Sequence, residues 1–196
     1  VPALPRVEQW SRPLRDAIVE QYEAFPATRV RVIHGCECCT MPEQLAAIAL
    51  RSAGFARRMG LEPRIAFISY TTFGNPPGVH IEELRGAVKL LDGIKSHFEY
   101  EGEMGPDVPL NYEAQPRFYP FSRLSGPANV LVMPGLQSAN LSSKLLKELG
   151  GESVLGPYIL GLELPVQIAP MTASASDLVT LAVLAALGAR NGRSKG

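Results

Sequence analysis

Apolar side chains recur at helical spacing in two long stretches of the chain. The first stretch begins at Pro42, returns an apolar residue every three or four positions, and ends before Gly60. The second spans residues 81–94. Between them, residues 64–70 (RIAFISY) are nearly all apolar, which is typical of a strand buried on both faces. This part of the chain is therefore predicted to run helix, strand, helix.

Shorter segments continue the alternation of strands and helices toward both ends of the chain. Further helices are predicted at residues 13–25, 139–149 and 174–190, and further strands at residues 29–33, 98–102, 129–133, 153–160 and 166–168. A long connection rich in proline and aromatic residues occupies positions 105–127. Strands that alternate with helices favour an α/β fold with a mostly parallel sheet and helices on its faces.

Composition and charge narrow the function classes. The chain has 196 residues, of which 46% are hydrophobic and 19% are charged, as in an ordinary globular domain. Lys and Arg number 19 and are balanced by 19 Asp and Glu, which disfavours a nucleic acid or an acidic membrane bound through bulk charge. No apolar run is long enough to span a membrane. Because the chain begins at Val1 without an initiator Met, we expect it to be a fragment of a longer protein.

The three cysteines all lie in the short segment 36–39. An odd, local group of cysteines is a poor disulfide framework, and the absence of cysteine elsewhere suits a reducing, cytoplasmic compartment. Together with His34 the cysteines could bind zinc or copper, but four ligands from one hexapeptide have poor geometry. We therefore expect no metal site here, and no nucleophilic cysteine, since nothing fixes a base beside one.

The loop after the buried strand is the first candidate for binding chemistry. Ligands in α/β proteins bind at the carboxyl ends of strands, and hydroxyl groups beside a glycine suit phosphate or another anion. The candidate residues are Ser69, Thr71, Thr72, Gly74 and Asn75. The glycine spacing matches neither a Walker loop nor a dinucleotide motif. A capped strand-to-helix turn that binds no ligand is the alternative.

Charged residues mark two further segments. Residues 101–107 hold three acids at a strand end, which could bind a metal or act in acid–base catalysis, although the spacing favours a solvated acidic turn. Residues 122–129 combine Arg123 with Ser125 and Gly126, and this guanidinium could clamp a phosphate. A structural loop whose arginine pairs with a nearby acid is the equal alternative.

The last predicted helix begins with a recognisable cap. Ser174 and Asp177 have the spacing of a capping box. The carboxylate also suits the positive end of the helix dipole. Capping alone would explain both residues, so the local pattern assigns no further function to Asp177.

Four ordered segments carry a resemblance to a known family. They are residues 64–76 (RIAFISYTTFGNP), 98–111 (FEYEGEMGPDVPLN), 119–151 and 154–187. Over residues 41–187 the chain resembles the phosphate acetyl/butyryl transferase family. Within that family it is most similar to the C-terminal phosphotransacetylase-like domain of large bacterial NADP-dependent malic enzymes.

The resemblance implies a three-layer α/β/α fold of the isocitrate/isopropylmalate dehydrogenase type, with a mostly parallel sheet, truncated on its N-terminal side. It divides the chain into an unmatched leader at 1–40, non-native or divergent, a phosphotransacetylase-like domain at 41–190 and a polar tail at 191–196. Family members have two such domains with a cleft for CoA and acyl phosphate. The resemblance therefore implies a CoA thioester or acyl phosphate as partner and a homo-oligomer as assembly.

The resemblance also bears on catalysis. Phosphotransacetylation requires a base for the CoA thiol and cations for the phosphate. The family's Ser-Arg pair falls on Pro170 and Met171 here, and two of its lysines fall on Phe73 and Pro127. Asp177 retains the acid at the start of the last helix and would be catalytic only in an active enzyme. The resemblance thus implies a non-catalytic segment that senses acetyl-CoA.

Under this hypothesis acetyl-CoA contacts the loop after the buried strand, the Arg123 segment and the last helix. The implied ligand-binding residues are Ser69, Thr71, Thr72, Gly74, Asn75, Arg123, Ser125, Gly126 and Asp177. NADP and a divalent metal are expected only in a parent malic-enzyme domain. The alternatives are an active phosphate acyltransferase with Asp177 as base, and an interaction module that binds no ligand.

Overall fold

Four parallel strands form a sheet. The computed structural model describes residues 32–34, 41–77, 81–94, 96–149, 158–160 and 166–192. The strands are β1 (Val32–His34), β2 (Arg64–Ile68), β3 (Glu99–Met104) and β4 (Val130–Val132). Their order across the sheet is β1-β4-β2-β3, and every neighbouring pair is parallel. The predicted α/β fold with a parallel sheet is therefore confirmed.

Helices alternate with the strands as predicted. They are α1 (Pro42–Arg58), α2 (Ile81–Ile94), α3 (Asp107–Leu110), α4 (Gln115–Phe118), α5 (Leu136–Leu149) and α6 (Ala175–Gly192). The sequence prediction matches α1 and α2 closely, whereas α5 begins before its predicted start at residue 139. The connection 105–127 contains α3 and α4, single turns that the sequence analysis did not predict.

Local sequence explains where α1 begins and ends. Pro42 occupies the first helical turn, where its missing N–H costs no hydrogen bond. Glu43 lies in the first turn and Arg57 and Arg58 lie in the last, so these charges favour the helix dipole. Gly60 follows with a φ of +75°, a left-handed conformation that glycine adopts without penalty.

The sheet is buried on both faces. On one face Ile65, Phe67 and Val130 pack against α1 and α2. On the other face Ile68 and Leu131 pack with residues of the connection before β4 and with α5. Burial of each such side chain stabilises the fold by roughly 1.5–3 kcal/mol. The prediction that β2 is covered on both sides is confirmed.

The chain divides into two compact units, one formed by 27–152 and the other by 1–26 with 153–196. The sheet and α1 to α5 belong to the first unit, and α6 belongs to the second. Of the two strands predicted in the second unit, residues 153–157 lie outside the described residues. In the described part, Tyr158 and Gln167 form one antiparallel bridge.

Some sequence predictions lie outside the described residues. They include the helix at 13–25, the cysteines of segment 36–39 and the first three residues of the strand at 29–33. Strand β1 lies within segment 1–40, and it pairs with β4. Within the described ranges, every helix is too short or too polar to cross a membrane.

Candidate functional site

The loop that follows β2 crosses the carboxyl edge of the sheet. Ser69 comes directly after the strand, and its backbone N–H donates to the carbonyl of Met104 at 2.9 Å. Thr72 and Asn75 exchange two backbone hydrogen bonds of 3.0 Å, which close a tight turn. Because β2 and β3 are parallel and both end here, the loop lies where open parallel sheets bind ligands.

The polar side chains predicted for this loop bind one another and the backbone. Ser69 and Thr71 are buried, and their hydroxyl oxygens lie 3.2 Å apart. The Thr72 hydroxyl accepts the backbone N–H of Gly105 at 3.0 Å, while Asn75 is exposed. Locally the loop is therefore a satisfied turn with Asn75 at its surface. Ligand binding by these residues stays a prediction.

Glu103 binds this loop to α2. Its side chain is 1% exposed and accepts the Gly74 N–H at 2.6 Å. The Arg85 guanidinium donates two further hydrogen bonds to it, of 3.0 Å from Nε and 3.2 Å from Nη2. These hydrogen bonds and the charge of Glu103 raise the pKa of Arg85 above its ordinary value. Residue 74 has a φ of +88°, and a Cβ there would lie 2.7 Å from Arg85 Nη2, so this position favours glycine.

An irregular register in β3 explains how Glu103 reaches the loop. Phe67 of β2 pairs with Gly102, and Ile68 pairs with Met104, so Glu103 is skipped in the register. An extra residue of this kind re-aims its side chain, as in a β-bulge. Glu103 can therefore face α2 and the loop at once.

Two of the three acids of segment 101–107 pair with arginines, and the third, Asp107, is exposed. Glu101 and Glu103 are buried, and each binds a guanidinium. The prediction of a solvated acidic turn is therefore wrong, because two of the three carboxylates belong to β3 and are neutralised there. Among the residues that the structure describes, no group of three His, Cys, Asp or Glu side chains could hold a metal ion.

Arg123 lies along the edge strand β3. Its Nε and Nη2 each donate to Glu101 at 3.2 Å, and its backbone N–H donates to the same carboxylate at 3.1 Å. Nη1 lies 2.5 Å from Asp92 Oδ1, and Cζ lies 4.5 Å from the centre of the Tyr100 ring. Burial alone would lower the pKa of Arg123, but the hydrogen bonds and charges of both carboxylates raise it. The pairing with a nearby acid is observed, and a contact with phosphate stays a prediction.

Ser125 and Gly126 lie at the opposite end of the strands, where β2 and β3 begin. The Ser125 hydroxyl and N–H donate to Glu99, the first residue of β3, at 2.6 and 2.8 Å. Gly126 lies beside Arg64, the first residue of β2, whose Nε is 3.2 Å from where a Cβ would stand. Strands rise roughly 3.3 Å per residue, so the full length of β2 separates these residues from the loop after it. The structure does not bring Ser125 and Gly126 together with that loop.

The predicted capping box at the start of α6 is confirmed. The Ser174 hydroxyl accepts the Asp177 N–H at 3.2 Å, and the Asp177 carboxylate accepts the Ser174 N–H at 2.9 Å. The preceding Met171 is fully exposed. Asp177 belongs to the second unit, and its predicted contact with a ligand stays a prediction.

Three aromatic side chains meet beside the loop after β2, and we call them the ring cluster: Phe73, Tyr119 and Phe121. The centre of the Phe73 ring lies 5.3 Å from that of Tyr119 and 4.8 Å from that of Phe121. The Tyr119 and Phe121 rings are 6.2 Å apart and nearly perpendicular. These are favourable aromatic geometries. The cluster joins the loop to the long connection before β4.

An apolar cavity of about 390 Å³ lies elsewhere in the first unit, between the sheet, α3 and α5. Ile68 and Leu131 line it from the sheet, and Leu145 and Leu149 line it from α5. Its lining is apolar apart from Ser142. Such a lining suits packing and offers no acid, base or cation for catalysis.

The sequence did not predict that Arg85 binds Glu103, or that Phe73 packs against Tyr119 and Phe121. The acids at positions 99, 101 and 103 alternate with other residues, and this period of two was a signal that β3 extends past residue 102. No comparable signal exists for Arg85, because its partner lies 18 positions away in the chain.

Comparisons with known proteins find similar sequences over most of the chain. The family described as Phosphate acetyl/butaryl transferase matches residues 26–186. An NADP-dependent malic enzyme of Rhizobium meliloti is 54% identical over 147 residues, which cover 75% of this chain and 19% of that protein. A phosphate acetyltransferase of Clostridium acetobutylicum is 28% identical over 161 residues, which cover 80% of this chain and 48% of that protein.

A solved structure extends the likeness to the fold. A phosphotransacetylase from Streptococcus pyogenes superposes with a TM-score of 0.75 at 28% identity, covering 85% of this chain and 52% of its own. The chain thus spans about a fifth of the malic enzyme and about half of the two phosphate acetyltransferases.

Proposed function

The chain belongs to the phosphate acetyl/butaryl transferase family, and from this premise we propose that it binds acetyl-CoA and regulates a malic enzyme without transferring acyl groups itself. Its likeness to a fifth of an NADP-dependent malic enzyme supports the choice of parent protein. The acetyl-CoA ligand, the regulatory role, the cytoplasmic compartment and a homo-oligomeric assembly are all parts of the proposal.

The observation that carries this proposal is that packing replaces cationic chemistry at the carboxyl edge of the sheet. Phe73 stands where the family resemblance places a lysine, and its ring packs against Tyr119 and Phe121. The guanidinium groups of Arg85 and Arg123 are bound to buried glutamates. Acyl transfer requires positive charge aimed at the developing oxyanion and the phosphate. Cations that are already neutralised by carboxylates supply little of that charge.

The start of the last helix supports the same conclusion. Pro170 and Met171 occupy the positions of the family's Ser-Arg pair, and neither side chain can donate a hydrogen bond to phosphate. The Asp177 carboxylate is engaged by the Ser174 N–H in the capping box. Without the serine and arginine of that pair, no side chain here would hold phosphate. The Asp177 carboxylate would then have no bound phosphate beside it to act on.

Regulation in this proposal is a coupling of binding to conformation. A ligand shifts an assembly only if it binds one conformation more tightly than another. Acetyl-CoA bound by this segment would therefore bias a distant dehydrogenase domain of the parent protein. NADP and a divalent metal would act in that domain, since this sequence contains no dinucleotide glycine motif.

Two measurements on the 196-residue protein test the proposal. Titration calorimetry is expected to detect acetyl-CoA binding, and an assay for acetyl phosphate made from acetyl-CoA and phosphate is expected to show no turnover above background. Robust turnover would instead establish the active phosphate acyltransferase. A stable dimer that binds no CoA thioester would establish the interaction module.

Variants locate the ligand on the structure. Asn75→Ala removes the exposed amide of the loop after β2, and Asn140→Ala, an exposed asparagine of α5, is its matched control. Asn75→Ala is expected to weaken acetyl-CoA binding several-fold, and the control to leave it unchanged. Unchanged affinity in folded Arg123→Ala would remove Arg123 from the proposed ligand contacts.

A further inference from the structure

The ring cluster presents an aromatic surface to solvent. Phe121 contacts both other rings, and yet 62% of its surface is exposed. Phe73 places the cluster beside the carboxyl edge of β2, because it belongs to the loop that follows this strand. One exposed ring at this end of the strand, packed on two half-buried rings, is placed to accept a flat ligand group by stacking.

Phe73 is held in a conformation that is unfavourable for its backbone. Its φ is +48°, in the left-handed region that bulky residues rarely adopt. The Phe73 N–H donates to the carbonyl of Glu103 at 2.9 Å, and the next N–H, of Gly74, donates to the Glu103 carboxylate at 2.6 Å. Arg85 in turn holds that buried carboxylate. Strained residues that are held by buried contacts concentrate at binding sites.

A cation lies close to the ring cluster along the chain. Arg117 of α4 is exposed, and its Cζ lies 5.3 Å from the centre of the Phe118 ring. Phe118 precedes Tyr119 of the cluster and is itself largely exposed. A ligand that combines a flat aromatic ring with phosphate groups would match both the rings and the guanidinium.

We infer that the ring cluster binds the adenine ring of a CoA thioester, with Arg117 beside it for the phosphates of the same nucleotide. This inference rests on the proposed function, because it names the part of acetyl-CoA that the ring cluster would bind. Phe121 supplies the exposed stacking face. Phe73 supplies the fixed support beneath it, positioned by Glu103.

Titration calorimetry with three probes tests the inference on the full chain. The probes are acetyl-CoA, adenosine 3′,5′-bisphosphate, and acetyl-pantetheine, which carries the thioester without the nucleotide. The variants are Phe121→Ala, Phe121→Tyr, and Leu141→Ala as a matched control, since Leu141 on α5 is exposed to 65% and Phe121 to 62%. Both residues are largely exposed, so all three variants are expected to fold, and circular dichroism verifies this.

Phe121→Ala is expected to weaken the binding of both adenine-containing probes about ten-fold, which is the effect of losing one stacked base. Phe121→Tyr is expected to retain their affinity, because it keeps the ring, and Leu141→Ala to leave it unchanged. Acetyl-pantetheine binding is expected to be the same in all variants. Arg117→Ala is expected to weaken the binding of adenosine 3′,5′-bisphosphate more in low salt than in high salt.

The outcomes separate this inference from the proposed function. If acetyl-CoA binds and Phe121→Ala behaves like Leu141→Ala, the ring cluster is not the adenine site, while the proposed function stands. If adenosine 3′,5′-bisphosphate binds in a Phe121-dependent manner and acetyl-CoA does not bind, the rings take an adenine nucleotide, but a CoA thioester is refuted as their ligand together with the proposed function. If neither probe binds, both are overturned.

Discussion

The Glu103 carboxylate and the Arg85 guanidinium form a two-point ion pair, with distances of 3.0 Å from Nε and 3.2 Å from Nη2. Glu103 is buried, whereas Arg85 reaches the surface and also contacts Glu82 at 3.2 Å. The same carboxylate accepts the Gly74 N–H. One buried charge therefore joins the end of β3, helix α2 and the loop after β2.

Glu103→Gln is expected to lower the free energy of unfolding by about 2–3 kcal/mol, because it removes the charge that compensates Arg85 and holds Gly74. Urea denaturation measures this change. The matched control is Glu82→Gln, which removes the other partner of Arg85 at a side chain that is 78% exposed. Exposed ion pairs contribute little to the free energy of unfolding, so the control is expected to change it by less than about 0.5 kcal/mol. Equal effects of the two variants would contradict the assignment of Glu103 as the structural partner.

Arg123→Lys is expected to destabilise the protein by roughly 1–2 kcal/mol, since an ammonium group cannot reproduce the donors that reach Glu101 and Asp92 at once. Arg123→Ala is expected to cost more, because it also uncovers the Tyr100 ring. Thermal and urea unfolding both measure the effect. Arg51→Lys, at an exposed position of α1, is the control and is expected to be neutral. Full stability of Arg123→Lys would show that charge alone matters here.

The hydrogen bond between Tyr100 and Asp92 predicts that the stability of the protein depends on pH at both the acidic and the basic end of the pH range. The Tyr100 hydroxyl donates to Asp92 at 2.6 Å, and this bond, followed by Arg123, lowers the pKa of Asp92. A lowered folded-state pKa gives stability that is present above about pH 4 and is lost as the pH falls further. Burial, followed by the bond to Asp92, raises the pKa of Tyr100. Its contribution is present below about pH 10 and is lost as the pH rises beyond that value.

Two variants check these directions. The difference in stability between wild type and Asp92→Asn is expected to shrink below about pH 4, and that between wild type and Tyr100→Phe to shrink above about pH 10. Unfolding midpoints measured across the pH range give both differences. A difference that stays constant with pH would exclude the corresponding group as the source.

Gly102→Ala is expected to destabilise the protein by about 2–4 kcal/mol. Its φ is +149°, and a Cβ would lie 2.8 Å from both the Cβ and the carbonyl oxygen of Phe67. Gly93→Ala in α2 is the contrasting control, because a Cβ there meets nothing within 4 Å. Adding alanine to a helix is expected to stabilise it by roughly 0.5–1 kcal/mol. Chemical denaturation of both variants measures the difference, and a neutral Gly102→Ala would refute the close approach of the strands.

Local patterns were sufficient for the longest elements. The bounds of α1 and α2 were predictable because apolar spacing and punctuation by proline and glycine act within one or two helical turns. The single turns α3 and α4 have too few residues to show a period. The predicted end of β3, residue 102, is too early, because Glu103 was assigned to a solvated acidic turn and not to the strand.

By itself the sequence determined the α/β class, the parallel sheet and the cap at Ser174 and Asp177, since these follow from spacing along the chain. It also carried the family resemblance, through four ordered segments of matching motifs. Only the tertiary structure decided what the charged residues do. Arg85 and Arg123 find their carboxylates 18 and 22 positions away, and no local pattern encodes such a partner. The same holds for Ser125 and Gly126, which the strand direction places at the edge opposite the loop after β2. An ion pair depends on which surfaces the fold brings together, and that depends on the whole chain.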